Sequence, residues 1–301
     1  HEHILTLQER KNIMDSSRIS LVMLQRETDP VKYMDPAGIR IFEMGRGISI
    51  ALFSMKAEFQ LYPEIYIGHT LYKNGFPAAY GGAWIFGSYA LFGVNIFEWC
   101  RGGESSLMVT ELLTLYHHTM GVECIEVEPY QYGKDNPEGI SSGAFWFYYR
   151  MGFRPVRRDL AQLARREEKK ILENPGYKSN QRTLLKFTEG NIRMDLKKTK
   201  LIKGANIKSM VGKMVQKEYQ SDRLKAEIES IKWMTGQLSF PCSKMDKTAL
   251  TEIAMMNRAV GFPVAQNQDL LKKMLQTRGS KPHLYQNLIL QWLEKAKIKT
   301  S

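Results

Sequence analysis

The sequence predicts an α/β fold followed by an all-helical, basic region. Between Phe92 and Phe153 an apolar strand runs into a glycine-rich turn, and a helix, a second strand and a second helix follow. Residues 1–155 carry 13 Lys and Arg against 17 Asp and Glu, whereas residues 156–301 carry 30 against 14. We therefore predict a lead-in at 1–34, an α/β domain at 35–158 and a basic helical region at 159–301.

The length, the composition and the cysteine count limit which classes of protein are possible. With 301 residues, 43% of them hydrophobic, the chain can bury a sizeable core. Its three cysteines, Cys100, Cys124 and Cys242, are too few and too scattered for a disulfide framework or a zinc knuckle, so we expect a cytoplasmic location. The chain begins with His1 and shows no basic-then-apolar signal pattern, and we expect a processed or trimmed form.

One uncharged stretch, from Phe76 to Phe97, is long enough to span a bilayer. Gly87-Ser88 divides it into two runs of strand length, as the turn of a hairpin would. We therefore predict a buried hairpin of Ala78–Phe86 and Tyr89–Trp99 in place of a membrane helix.

The other elements follow from periodicity and turn residues. Segment 56–72 is predicted to mix helix and loop. The predicted strands are 39–44, 48–53 and 122–127, and the predicted helices are 105–120, 143–151, 160–172, 183–187, 207–215, 223–234, 247–260, 267–276 and 284–297.

Two motifs resemble one known family. Arg101-Gly102-Gly103-Glu104-Ser105-Ser106 resembles the Arg/Gln-x-x-Gly-x-Gly/Ala turn of the GNAT (acyl-CoA N-acyltransferase) superfamily, and Tyr148-x-x-x-Gly152-Phe153 resembles its later helix. The resemblance covers roughly residues 35–155 and implies a mixed, mainly antiparallel sheet with helices on both faces. The strings Arg-Gly-Gly-Glu-Ser and Val-Glu-Pro-Tyr-Gln-Tyr-Gly also resemble a group of uncharacterised bacterial proteins, which implies no activity.

The glycine-rich turn has the chemistry of an anion site. Amides at a helix start and the helix dipole favour a diphosphate, and glycines let the backbone approach it. Glu104, however, stands where the superfamily has glycine, and its carboxylate would compete with a phosphate. The turn is thus either a working diphosphate site or a self-capped, repurposed one. The candidate residues for an acyl-CoA cosubstrate are Ile96, Phe97, Arg101, Gly102, Gly103, Glu104, Ser105 and Ser106.

For amine acylation, the resemblance implies that a backbone amide near Ile96–Phe97 polarises the thioester carbonyl. Glu98 is the first candidate for the base that takes the amine proton, with Glu126 or Glu128 as alternatives. Tyr148 falls where the family places the tyrosine that reprotonates the thiolate. The alternative interpretations are a solvated strand end for Glu98 and an aromatic core residue for Tyr148.

Asn136 and Ser141 are predicted as turn and cap residues. His117 and His118 are adjacent on a helix and cannot chelate together, so no metal site is predicted.

The basic half allows several partners. Its lysine run, Lys197, Lys198, Lys200 and Lys203, is followed by further lysines at 208, 213 and 217. Such a run fits nucleic acid, anionic lipid, an acidic protein such as an acyl carrier protein, or a solvated helix face. We expect transfer of an acyl group from CoA or a carrier protein to an amine by direct attack. The alternative is a catalytically inactive scaffold whose basic half binds a macromolecule.

Overall fold

The computed structural model describes residues 1–197, 201–296 and 298. Within these residues, the strands are β1 (Glu2–His3), β2 (Arg40–Gly45), β3 (Ile48–Ser54), β4 (Ile65–Lys73), β5 (Phe76–Phe86), β6 (Tyr89–Ile96), β7 (Cys124–Val127), β8 (Arg154–Pro155) and β9 (Ile192–Asp195). The helices are α1 (Leu7–Met23), α2 (Asp29–Lys32), α3 (Ser105–Met120), α4 (Pro137–Ser141), α5 (Ala144–Arg150), α6 (Arg158–Glu173), α7 (Gln181–Phe187), α8 (Gly204–Tyr219), α9 (Arg223–Thr235), α10 (Lys247–Val260), α11 (Gln268–Thr277) and α12 (Pro282–Ala296).

The strands form one sheet in the order β1-β2-β3-β4-β5-β6-β7-β9-β8. Neighbouring strands are antiparallel throughout this order except for β6 and β7, which are parallel. A parallel pair needs a crossover, and α3 supplies it. The α/β class and the mainly antiparallel sheet predicted from the sequence are confirmed.

The uncharged stretch forms the hairpin β5–β6, whose register runs from Phe86↔Tyr89 to Ala79↔Ile96. Gly87 turns the chain with a φ of +57°, a conformation that glycine adopts without strain. No helix among the residues described combines the length and the apolarity needed to cross a membrane.

Four strands were not predicted: β1 and β8, which have two residues each, and β4 and β9. β4 lies in the segment we predicted as helix and loop, and that prediction was wrong. Its residues from Ile65 to Tyr72 are buried or half-buried on both faces, so the alternation that reveals a half-buried strand is missing. β9 lies inside the region predicted to be helical and has only four residues, too few for a period to stand out.

The sheet is covered on both faces. Ser17 of α1 lies 3.0 Å, hydroxyl to hydroxyl, from Thr70, whereas Tyr116 of α3 lies 3.0 Å, through its hydroxyl, from the ring of His69. His69 and Thr70 are consecutive in β4 and point to opposite faces. α1 therefore packs on one face and α3 on the other.

The charge change near residue 156 is not a boundary of the core. One buried apolar cluster runs from Phe42 in β2 to Ile298 near the end of the chain. Gln286 of α12 donates to the carbonyl oxygens of Gly87 (2.6 Å) and Met120 (2.9 Å), closing the ends of the hairpin and of α3. The basic half is thus built onto the sheet.

Candidate functional site

A cleft opens where β6 and β7 part. They pair at only three positions, Tyr89↔Cys124 to Leu91↔Glu126. From there to Ile96, β6 is paired only with β5. Pro129 follows β7 and has no N–H to extend a ladder. This strand-end cleft has a volume of about 270 Å³ and is lined by Val94, Asn95, Ile96, Arg101, Gly102, Ser105, Gln131, Asn136, Glu138, Gly139, Ser142, Ala144, Phe147, Tyr148 and Arg150.

The side chain of Gln131 fills the gap between the two strands. Its Oε1 accepts a hydrogen bond from the backbone N–H of Val94 at 3.1 Å and another from the hydroxyl of Tyr148 at 3.4 Å. Two donors from different elements thus converge on one carbonyl oxygen. This is the arrangement that holds and polarises a carbonyl in acyl-transfer sites.

The strand register decides which amides of β6 face the cleft. The N–H of Phe97 donates to the carbonyl oxygen of Ala78 at 3.0 Å, on the β5 side. Antiparallel ladders alternate, so the N–H groups of Val94 and Ile96 point away from β5 and towards the cleft. The amide of Phe97, predicted as one of the polarising donors, is therefore not presented there, whereas that of Ile96 is.

The predicted turn borders the cleft through Arg101, Gly102 and Ser105. Gly102 has a φ of +142°, which side-chain-bearing residues rarely adopt. Its N–H donates to Ser105 Oγ at 3.0 Å, which closes the turn onto the start of α3. A Cβ added at Gly102 or Gly103 would meet no atom within 4 Å, so the turn is open on its outer side.

Glu104 is directed away from the cleft. Its carboxylate forms an ion pair of 2.9 Å with Lys73 at the end of β4, and the residue is absent from the cleft lining. Gly103 and Ser106 are exposed on the same turn, also outside the lining. The carboxylate that we expected to compete with a phosphate is thus occupied by a lysine distant in sequence.

Arg101 is held inside the cleft by two contacts. Its Nε donates to the carbonyl oxygen of Ile96 at 3.0 Å, and its Nη1 forms a short ion pair with Glu138. The hydrogen bond from Arg101 holds the pKa of the Glu138 carboxyl below its usual value. The cation is therefore in place but shared with a carboxylate.

Tyr148 lines the cleft from α5 and is buried, with 3% of its surface exposed. Burial raises the pKa of its hydroxyl well above the usual value, so the group stays protonated at neutral pH and can act as a donor. Its ring packs edge-on against Phe153 at 5.4 Å. Tyr148 thus belongs both to the core and to the cleft.

The three candidate bases occupy different surroundings. Glu98 is exposed on the short turn after β6 and does not line the strand-end cleft. Glu126 is buried and engaged by Lys203 at 2.5 Å and Asn191 at 2.6 Å. Glu128 is exposed and lines a second cavity that adjoins the cleft.

This second cavity, which we call the aromatic pocket, has a volume of about 200 Å³. It shares Asn95 and Gln131 with the strand-end cleft, so the two cavities meet at the side chain between β6 and β7. Its lining is Glu27, Tyr66, Tyr80, Gly81, Gly82, Trp84, Leu91, Phe92, Gly93, Asn95, Glu128, Tyr130 and Gln131.

Sequence reasoning assigned no role to Val94, Gln131 or Glu27. Gln131 was part of the string Val-Glu-Pro-Tyr-Gln-Tyr-Gly, but only the end of the β6–β7 ladder shows why an amide side chain is needed there. Asn136 caps α4 by accepting from the N–H of Gly139, as predicted. The hydroxyl of Ser141 donates to the carbonyl oxygen of Glu138 within the same helix.

Three lysines of the predicted patch are neutralised by the chain itself. Lys198 and Lys200 lie outside the described residues. Of the others, Lys197, Lys203 and Lys208 form ion pairs with Glu123, Glu126 and Glu64. The anionic partners expected from this run remain predictions.

Across residues 1–197, 201–296 and 298, no three His, Cys, Asp or Glu side chains are arranged to hold a metal ion. Comparison of the chain with protein-family models, with curated proteins and with solved structures finds no match.

Proposed function

We propose that this chain transfers an acyl group from an acyl-thioester, of CoA or of a carrier protein, to an amine by direct attack. The observation that carries the proposal is the convergence of the Val94 N–H and the Tyr148 hydroxyl on the Oε1 of Gln131. The Gln131 carboxamide would be a stand-in for the thioester carbonyl, and it withdraws when substrate binds.

The arrangement of elements supports the same proposal. A strand, a glycine-rich turn, a helix and a parallel strand follow one another from β6 to β7, and the cleft lies at the end of their pairing. GNAT-like proteins, which the turn and the Tyr-x-x-x-Gly-Phe phrase resemble, use this order to hold an acyl-CoA. Arg101 and the outward amides after Gly102 would bind the diphosphate.

The proposed reaction needs four proton and bond changes. The amine nitrogen attacks the carbonyl carbon while Glu128, which lines the aromatic pocket, accepts its proton. The N–H of Val94 holds the oxygen that becomes negative. The tetrahedral intermediate then breaks its C–S bond, and the hydroxyl of Tyr148 gives its proton to the thiolate. Amide and thiol are the products.

Binding of the donor is tested by thermal unfolding of the full chain with acetyl-CoA and octanoyl-CoA, using ATP as a polyanion control. A ligand of the native state raises the melting temperature by mass action. We expect a rise with an acyl-CoA that exceeds the rise with ATP. No shift at about 1 mM, a concentration that spans typical substrate affinities, would remove CoA as the donor. A carrier-protein donor is then tested with an acylated carrier.

Catalysis is tested with Tyr148→Phe. Loss of the proton donor should lower kcat about 100-fold and leave KM for the acyl donor unchanged. Tyr149→Phe is the matched control, because this neighbouring hydroxyl donates to Glu168 at 2.9 Å and does not line the cleft. Equal rates for Tyr148→Phe and the wild type would contradict the role of Tyr148.

A further inference from the structure

The aromatic pocket has a floor that includes Gly82 and Gly93, which belong to a row of glycines across three adjacent strands. Gly68 of β4, Gly82 of β5 and Gly93 of β6 are direct cross-strand partners. A Cβ at Gly82 would lie 2.2 Å from the hydroxyl oxygen of Tyr66, and one at Gly93 would lie 3.2 Å from Nε2 of Gln131. The row thus lowers the sheet surface so that other side chains can lie directly on the backbone.

Aromatic rings form the walls above this floor. Tyr66 and Trp84 are cross-strand partners whose ring centroids are 4.9 Å apart, and Tyr80, on the other side of the glycine row, stacks on Phe97 at 5.5 Å. The hydroxyl of Tyr66 lies over the floor, at the position that a Cβ of Gly82 would approach. The walls present faces of the kind that attract cations.

Two carboxylates border the pocket, those of Glu27 and Glu128. Neither forms an ion pair within the described part of the chain, although the protein carries 43 Lys and Arg against 31 Asp and Glu. Burial, and after it the charge of Glu27, raises the pKa of both the Tyr66 and the Tyr80 hydroxyl. The negative charge of Glu27 thus acts on both walls, and its carboxylate is also hydrogen-bonded to the Tyr80 hydroxyl, a neutral group that leaves the charge for a ligand to balance.

We propose that the aromatic pocket binds the acceptor as a small primary ammonium carried on a flat or unbranched apolar stem. The acceptor role rests on the proposed acyl transfer, whereas the recognition of a cation rests on the pocket alone. The stem lies between the aromatic walls, and the carboxylates balance the charge. The ammonium first loses one proton to solvent by way of Glu128, which is then free to accept the second proton while the nitrogen attacks.

The size of the pocket limits the ligand. A volume of about 200 Å³ lies below the range of about 300–1,000 Å³ that is typical of sites for drug-sized molecules. A free amine with a single ring or a short chain therefore fits the space better than a large multi-ring amine.

The test is isothermal titration calorimetry of the full chain, without any acyl donor, against three matched probes. These are phenethylamine, its neutral analogue 2-phenylethanol and its anionic analogue 3-phenylpropanoate. We expect phenethylamine to bind at least about tenfold more tightly than 2-phenylethanol and to compete with other primary amines. We expect no binding of 3-phenylpropanoate. Equal binding of amine and alcohol, or tighter binding of the acid, would overturn the proposal.

Variants locate the site. Glu27→Gln and Glu128→Gln should each weaken phenethylamine binding about threefold, and the double variant about tenfold. Both side chains are exposed, so the variants should fold. Glu58→Gln is the control, because Glu58 is also exposed and lies outside both cavities. Unchanged affinity in the double variant would place the amine elsewhere and refute the assignment.

The outcomes separate this proposal from the acyl-transfer proposal. If phenethylamine binds with the expected dependence on Glu27 and Glu128 but no thioester binds, the pocket is supported and the transfer reaction fails. If acyl-CoA stabilises the chain but the amine does not bind, the donor site is supported and the pocket assignment fails.

Discussion

The strand-end cleft and the aromatic pocket meet at Gln131 but have opposite electrostatic character. The cleft offers donors, namely backbone N–H groups, a tyrosine hydroxyl and Arg101, and its carboxylate Glu138 is already paired. The pocket offers acceptors, namely aromatic faces and the carboxylates of Glu27 and Glu128, which form no ion pair within the described residues. Under the two proposals, the cleft would bind a negatively charged ligand and the pocket a positively charged one.

This difference arises from the backbone on each side of β6. On the cleft side the ladder has ended, so N–H groups that β7 does not pair, such as that of Val94, set the polarity. On the pocket side the ladder to β5 is intact from Phe86 to Ala79, which leaves side chains to set the polarity there. Two ligands of opposite charge could therefore meet across a single strand.

The largest expected effect is the change in stability when the pH is lowered, which acts on a histidine next to the aromatic pocket and thus on one side of the comparison. His69 lies behind the floor of the aromatic pocket, with Nε2 3.0 Å from the Cβ position of Gly81 and its ring stacked on Phe92 at 5.6 Å. Its Nε2 has no hydrogen-bond partner among the described residues, and burial of the ring lowers its pKa to about 3. Below pH 6.5 His69 is protonated in the unfolded chain, whereas in the folded chain it stays neutral down to about pH 3.

The stability contributed by neutral His69 is therefore complete above pH 6.5 and declines as the pH falls towards 3. Between pH 6.5 and 4.5 we expect a loss of about 2 kcal/mol in the free energy of unfolding from this group. Urea unfolding across pH measures the slope, which His69→Gln should reduce and the exposed His118→Gln should not. Should the variant not fold, an NMR titration of the His69 ring decides, and a pKa near 6.5 would contradict the prediction.

The next effect tests the turn at the cleft. Gly102→Ala should lower the free energy of unfolding by about 1–2 kcal/mol, because alanine is strained at a φ of +142°. Gly103→Ala is a matched control, since its Cβ also meets open space and its φ is not in the positive region. Urea unfolding of the pair measures the difference, and equal stabilities would show that the turn relaxes without Gly102.

The smallest expected effect is a change in ligand affinity when Arg101 loses its ion pair with Glu138. Glu138→Gln removes the carboxylate that pairs with Arg101, and we expect the affinity for an acyl-CoA to rise about threefold, as for a partly exposed ion pair. Glu189→Gln is the control, because Glu189 pairs with Arg157 away from both cavities. Calorimetry measures the change. A weaker affinity would instead mean that Glu138 orients Arg101 for the ligand.

The sequence by itself determined the local parts of this protein. The strand, glycine-rich turn and helix from β6 to α3, the Asn136 cap and the hairpin around Gly87 were predicted, because their signals lie within a few residues of one another. Tyr148 was named from a short motif, and it does line the cleft.

Only the tertiary structure decided how these parts combine. The pairing of Glu104 with Lys73, the glycine row across three strands and the meeting of Glu27 with Glu128 all join residues far apart in sequence. Gln131 gained its position because the β6–β7 ladder ends after Leu91 and leaves an amide to satisfy. Cross-strand register and the end of a ladder are set by packing of the whole sheet, which no local pattern encodes.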